Sequence, residues 1–165
     1  MNNKIDSFKV DHTKLKRGIY ISRVDNVGGS GVVTYDIRVC EPAKKEYMDP
    51  KVAHTIEHIG ATFFRTKSKF KDNVVYFGPM GCMTGFYLIL SGYKKTDEVW
   101  NEVRSLFSSI ANVDWKEIPG ATEIECGNSS FHDLVGAVEF SKEYSEFLSQ
   151  GPNPKNMLYV MNGIY

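Results

Sequence analysis

The chain has 165 residues, 42% of them hydrophobic, and its 20 Lys plus Arg balance 20 Asp plus Glu for a formal charge of zero. That size and composition fit one globular domain over residues 1–165 and exclude a disordered chain. The charge balance argues against nucleic acid or an anionic membrane as main partner, since both are held by excess positive charge. No apolar run approaches the ~20 residues a bilayer crossing needs, and residues 1–17 lack the apolar core of a secretion signal. The expected location is the cytoplasm.

Gly18 to Val24 alternates between two faces and predicts a strand. The glycine-rich Asn26–Gly31 predicts a turn, and Val32 to Cys40 a returning strand, giving a hairpin. Asp49-Pro50 is a helix start, with Asp as cap and Pro at the first helical position. The helix is expected over Lys51–Lys67, with Val52, Ile56, Ile59 and Phe63 on one face. Strands are expected at Asn73–Phe77 and Thr84–Leu90, around the Gly78-Pro79-Met80-Gly81 turn. Thr96 is expected to cap a second helix that Ile118-Pro119-Gly120 breaks. Asp133–Gln150 reads as a third helix, stopped by Gly151-Pro152. Strand pairs alternating with single helices predict an α+β fold: a single domain with an antiparallel sheet and helices packed on one face.

The strongest local signal is His54-Thr55-Ile56-Glu57-His58. Four residues apart on a helix, the two histidines are offset by about 40°, so both imidazoles can reach one ion. Imidazoles suit Zn, Fe, Co and Ni rather than Ca or Mg. Glu57, on the adjoining flank, is placed to move protons beside the metal. A third ligand must come from elsewhere, and Cys126, in a glycine-flanked loop, is the candidate. Two histidines and one thiolate leave a position open for water or substrate, as in working metal sites. Cys82, in Gly78–Gly85, sits where glycines leave room for a ligand; near a divalent cation its thiol can shuttle protons. Cys40 has no chemical company and reads as core. His12 beside Asp11, and Arg38 and Arg65, are candidate substrate contacts. His132 reads as helping to open the third helix.

His-x-x-Glu-His is also the inverted zinc motif of a metallopeptidase family. There Glu57 would activate water for amide hydrolysis, and Glu123, Glu125 or Glu139 could serve as third ligand. Those peptidases are clamshells of several domains, whereas this chain has one, and they have no evident use for Cys82.

The motifs taken together resemble S-ribosylhomocysteine lyase, the LuxS-type enzyme of autoinducer-2 synthesis. The resemblance rests on Ser7–His12, Tyr35–Arg38, the His54–His58 pentapeptide, Gly78–Tyr87 (GPMGCMTGFY), Ile118-Pro119-Gly120, Glu125-Cys126-Gly127 and His132-Asp133-Leu134, in family order over roughly residues 5–150. It implies a homodimer with active sites at the subunit interface, each holding Fe(II), for which Zn or Co substitutes. His54, His58 and Cys126 would be the metal ligands, and Cys82 and Glu57 the acid/base pair. Ser7, His12 and Arg38 would contact the sugar, and Arg65 and the backbone near Phe77 the homocysteine end. The implied reaction moves a carbonyl along the ribose of S-ribosyl-L-homocysteine and expels homocysteine by β-elimination, leaving 4,5-dihydroxy-2,3-pentanedione. Two positions depart from the family pattern. Tyr76 stands where Asp is usual, removing a carboxylate from the amino-acid end of the site, and Met83 stands where Arg or Gln is commoner.

Overall fold

The computed structural model describes residues 8–159. Strands β1 (Gly18–Val27) and β2 (Ser30–Arg38) form an antiparallel hairpin. Their link is only Gly28-Gly29, with φ of 58° and 83°. A two-residue turn of that kind needs left-handed backbone at both positions, which glycine supplies without a Cβ clash. The pairing therefore continues to Val27 and Ser30, further into the glycine-rich stretch than sequence alternation indicates. Strands β3 (Val74–Pro79) and β4 (Gly85–Ser91) complete a four-stranded sheet in the order β1-β2-β4-β3, antiparallel throughout.

Alternation sorts the two faces of this sheet. Val33, Tyr35, Ile37, Phe86, Leu88 and Leu90 are buried in the main core. Asp36 and Arg38 of β2 and the half-buried Tyr87 and Ile89 of β4 project from the opposite face. The three helices, α1 (Pro50–Thr66), α2 (Thr96–Ala111) and α3 (Leu134–Ser149), cover the core face. The expected α+β arrangement is thus present.

Helix α1 starts as the sequence indicates: the Asp49 carboxylate accepts a hydrogen bond from Lys51 N at 2.8 Å. Its inner face (Val52, Ala53, Ile56, Ile59, Phe63 and Phe64) is buried, and each large side chain so placed stabilises by about 1.5–3 kcal/mol. Gly60 lets the helix approach β3 closely, because a Cβ there would lie 2.2 Å from Cε1 of Phe77. The Phe77 ring in turn stacks on Phe86 at 5.2 Å.

Two sequence expectations about α2 are corrected. The capping position is Lys95, with Thr96 already helical; the Glu98 carboxylate reaches back to accept from Lys95 N at 3.3 Å, the acidic half of a capping box. The helix also ends at Ala111, before Ile118-Pro119-Gly120. That tripeptide belongs to the long connection between α2 and α3, which runs across the outer flank of α1. Helix α3 is capped by Asp133, whose carboxylate accepts from Gly136 N at 2.8 Å.

Candidate metal centre

Packing of the apolar face of α1 against the sheet turns His54, Glu57 and His58 outward, toward the connection between α2 and α3. Two carbonyls of that connection fix the imidazoles. His54 Nδ1 lies 2.8 Å from Phe131 O, and His58 Nδ1 lies 2.9 Å from Pro119 O. A carbonyl only accepts, so both Nδ1 atoms carry the proton and both Nε2 atoms present a lone pair. Those Nε2 atoms are 3.1 Å apart. Two lone pairs at that distance repel unless a cation lies between them.

Cys126 is brought to the same point. A turn closed by Cys126 N on Thr122 O (2.9 Å) places Sγ 3.6 Å from His54 Nε2, and Asn128 N donates to the sulfur at 3.4 Å. Donors about 2.0 Å (N) and 2.3 Å (S) from one tetrahedral ion lie about 3.3–3.6 Å from each other. The three donors therefore fit a divalent metal of the Fe, Zn or Co kind in spacing and in chemistry. Gly120, beside Pro119, has φ 67°, and a Cβ there would lie 3.6 Å from His58 Nδ1.

His132 is the residue whose place the sequence reading missed. Asp133 caps α3; His132 stacks on His54 with ring centroids 4.1 Å apart, and its Nε2 is 3.9 Å from Cys126 Sγ. The donor atoms of His54, His58, Cys126 and His132 all lie within 4.8 Å of one another. Thr55 Oγ1 donates to Lys51 O and accepts from Asp133 N, so toward His132 Nδ1, at 3.4 Å, it is left as an acceptor. Burial, followed by the neighbouring His54 and His58, holds the His132 pKa below its ordinary value. The signal available in the sequence was a histidine six residues past Cys126 in the same loop.

A cleft of about 450 Å³ opens on this cluster, lined by His54, Glu57, His58, Pro119, Glu125 and Cys126 among others. Glu125 reaches its rim but is bonded by Thr122 Oγ1 at 2.6 Å. Among the described residues the third donor beside the histidines is the Cys126 sulfur, not a carboxylate. The peptidase reading, which needs a glutamate there, gains no support.

The remaining candidates form a second group. Cys82 is exposed, with Sγ 3.0 Å from Thr84 Oγ1 and 4.0 Å from Arg38 Nη1. It sits in a tight turn whose next residue, Met83, has φ 56°. Burial pushes the thiol up, but hydrogen bonds from Thr84 and the charge of Arg38 outweigh it, and the pKa lies below the ordinary thiol value. Arg38 is buried, bonded to Thr84 Oγ1 and paired with Asp36, on the sheet face turned away from the helices. His12 bonds Val10 O through Nδ1 at 3.0 Å and lies near enough to Asp36 to act on its carboxyl. The cleft that holds Glu57 and the metal donors is not lined by Cys82, Arg38 or His12.

Ser7 lies outside the described residues. Arg65 donates to Val75 O at 3.1 Å. Phe77 is buried with its ring in the core, so only its backbone is available to a ligand. Tyr76 lies over Gly78, where a Cβ would meet its hydroxyl at 2.0 Å, and burial and then the Glu57 carboxylate raise its pKa. Cys40 is core, as expected.

Residues 5–153 match the family model described as S-Ribosylhomocysteinase (LuxS). The chain is 45% identical over 156 residues to the S-ribosylhomocysteine lyase of Desulfotalea psychrophila, covering 94% of this chain and 98% of that one. It is 43% identical over 157 residues to the enzyme of that name from Finegoldia magna, covering 95% and 98%. For the one from Phocaeicola vulgatus the figures are 40% over 155 residues, covering 94% and 96%.

Proposed function

The chain belongs to the S-ribosylhomocysteinase (LuxS) family, and from that premise we propose that it cleaves the thioether of S-ribosyl-L-homocysteine to L-homocysteine and 4,5-dihydroxy-2,3-pentanedione. The observation that carries this reading is the convergence of Cys126 with two imidazoles whose Nδ1 protons are held by carbonyls. His54, His58 and Cys126 hold the ion, which we take to be Fe(II), with Zn or Co as substitutes. When bound, the ion supplies a Lewis acid that makes protons beside a sugar carbonyl removable.

The chain's own residues do the rest. Direct rupture of the C5–S bond has no neighbouring group to take up charge, so protons must first be relocated until a carbonyl stands at C3, two carbons from the C5 that bears the sulfur. Glu57, on the same helix as the imidazoles, takes and returns protons on the metal side of the sugar. Cys82, whose thiol is held low by Thr84 and Arg38, does so from the other side. Arg38 offers a donor to sugar hydroxyls, and His12, whose Nδ1 proton is held by Val10 O, offers an acceptor at Nε2. The thiolate of homocysteine leaves with the C5–S electron pair once the C4 proton is gone.

Glu57 and Cys82 fall in two groups, one in the metal cleft and one at the far face of the sheet. We infer that a second copy completes the site, each subunit's Cys82 group facing the other's metal cleft. The half-buried Thr34, Tyr87 and Ile89 on that far face support such docking. Among the described residues no helix is long and apolar enough to cross a membrane, and with the three cysteines free thiols we place the protein in the cytoplasm.

Protein loaded anaerobically with Fe(II) should release free thiol from S-ribosylhomocysteine, followed with a thiol-reactive dye. No thiol above background overturns the reading.

A further inference from the structure

We propose that Tyr159 is a positioning residue of the reaction: its hydroxyl holds Asp36, and through Asp36 it sets Arg38 against Cys82. The inference rests on the roles given above to Arg38 and Cys82. It concerns a residue outside the segment matched to the family, which ends at residue 153.

The contacts form one chain. The Tyr159 hydroxyl donates to Asp36 Oδ2 at 2.7 Å. The same oxygen accepts from Arg38 Nη2, and Arg38 Nη1 reaches Thr84 Oγ1 and stands 4.0 Å from Cys82 Sγ. Asp36 is 2% exposed and Arg38 3%. Asp36 Oδ1 and Arg38 Nε have no partner among the described residues. A buried carboxylate with one oxygen already unsatisfied depends strongly on the donors that remain. Among the described residues, Tyr159 is one of two.

The fold places Tyr159 deliberately at this point. Gly18 and Tyr20 lie opposite Arg38 and Asp36 in the β1–β2 register, on the face turned away from the helices. The turn at Pro154–Asn156 lies against bare Gly18, where a Cβ would be 2.1 Å from Asn156 O. Three residues on, Tyr159 stacks on Tyr20 with centroids 4.8 Å apart and planes 7° from parallel. The ring stack fixes where the hydroxyl goes.

With Tyr159 donating, Asp36 shares its charge between two donors, and Arg38 keeps its other arm on Thr84 and Cys82. Without the hydroxyl, Arg38 is left as the only donor among the described residues and is drawn toward Asp36. Cys82 then loses part of the cation that favours its thiolate. The titratable and charged groups around Asp36 are Arg38, His12, Tyr20, Tyr87, Tyr144 and Tyr159; around Cys82 they are Arg38 and Tyr87.

The test is Tyr159→Phe in the metal-loaded protein, which keeps the ring stack and removes only the hydroxyl. Alkylation of Cys82 by iodoacetamide, followed across pH by peptide mass spectrometry, should show a midpoint about 0.5–1 pH unit above that of the unaltered protein. With substrate, kcat/KM should fall about tenfold while metal content is unchanged. Gly18→Ala, which displaces Asn156 and the segment beyond it, should move the midpoint the same way. A midpoint that is unchanged or lowered in Tyr159→Phe overturns the proposal. Because alkylation requires no turnover, it decides the role of Tyr159 even if thiol release from the substrate fails.

Discussion

Cys126 Sγ lies 3.6 Å from His54 Nε2 although 72 residues separate them in the chain. A flexible connection of that length makes such a meeting costly, since closing it loses chain entropy and two donors with no ion between them gain little. The carbonyls of Pro119 and Phe131, aimed at the two Nδ1 atoms, show that the loop is built around the histidines rather than passing by them.

Cys126→Ala should lose bound metal, whereas Cys82→Ala should keep it and lose turnover. Removing one of three ligands takes a site below stoichiometric binding, while the exposed Cys82 thiol is bonded to Thr84 and Arg38 and not to the donor cluster. Plasma mass spectrometry of the purified variants, beside the thiol-release assay, checks both. A normal metal content in Cys126→Ala would remove it from the ligand set.

His132→Ala should bind metal more weakly by about 10–100-fold. The ring packs flat on His54 and borders the Cys126 sulfur, so its loss loosens two donors at once. Competition against a chelator measures this, and an unchanged dissociation constant would confine His132 to the start of α3.

Stability should fall between about pH 9 and pH 11 and fall less in Cys40→Ala. Burial, with help from Glu46 and Glu143, raises the Cys40 thiol from its ordinary 9.0 to about 11. The unfolded chain then releases this proton at a lower pH than the folded one. The contribution of Cys40 is therefore complete below the unfolded value and is lost as pH rises toward the folded one. Thermal midpoints taken across that range should decline more steeply for the unaltered protein than for the variant. Equal slopes would rule out Cys40 as a source of the decline.

Glu57→Gln and Cys82→Ala, each inactive alone, should regain about a quarter of full activity when the two are unfolded together and refolded as a mixture. Half of randomly paired dimers carry one of each, and each of those has one site with both groups intact. No recovery would place both residues of a site on one chain.

Much of the local structure was legible in the sequence because it is set by neighbours. Asp49-Pro50 starts α1 as expected, Asp133 caps α3, and the alternation of Val33, Tyr35 and Ile37 marks which side of β2 faces the core. Where the reading erred, a local competitor decided. The acid at Glu98 displaced the cap from Thr96 to Lys95, and two adjacent glycines tightened a turn read as six residues to two.

The His54–His58 spacing alone determined that two imidazoles share a helix face, since 3.6 residues per turn leaves no choice once the helix forms. It could not determine what meets them. That His132 joins Cys126 beside His54, that Pro119 and Phe131 lend their carbonyls, and that Cys82 and Glu57 lie in separate groups are consequences of how a long connection crosses α1 and how β4 inserts between β2 and β3. Such contacts join residues far apart in the chain, and a spacing rule carries information only over the few residues whose geometry the backbone itself ties together.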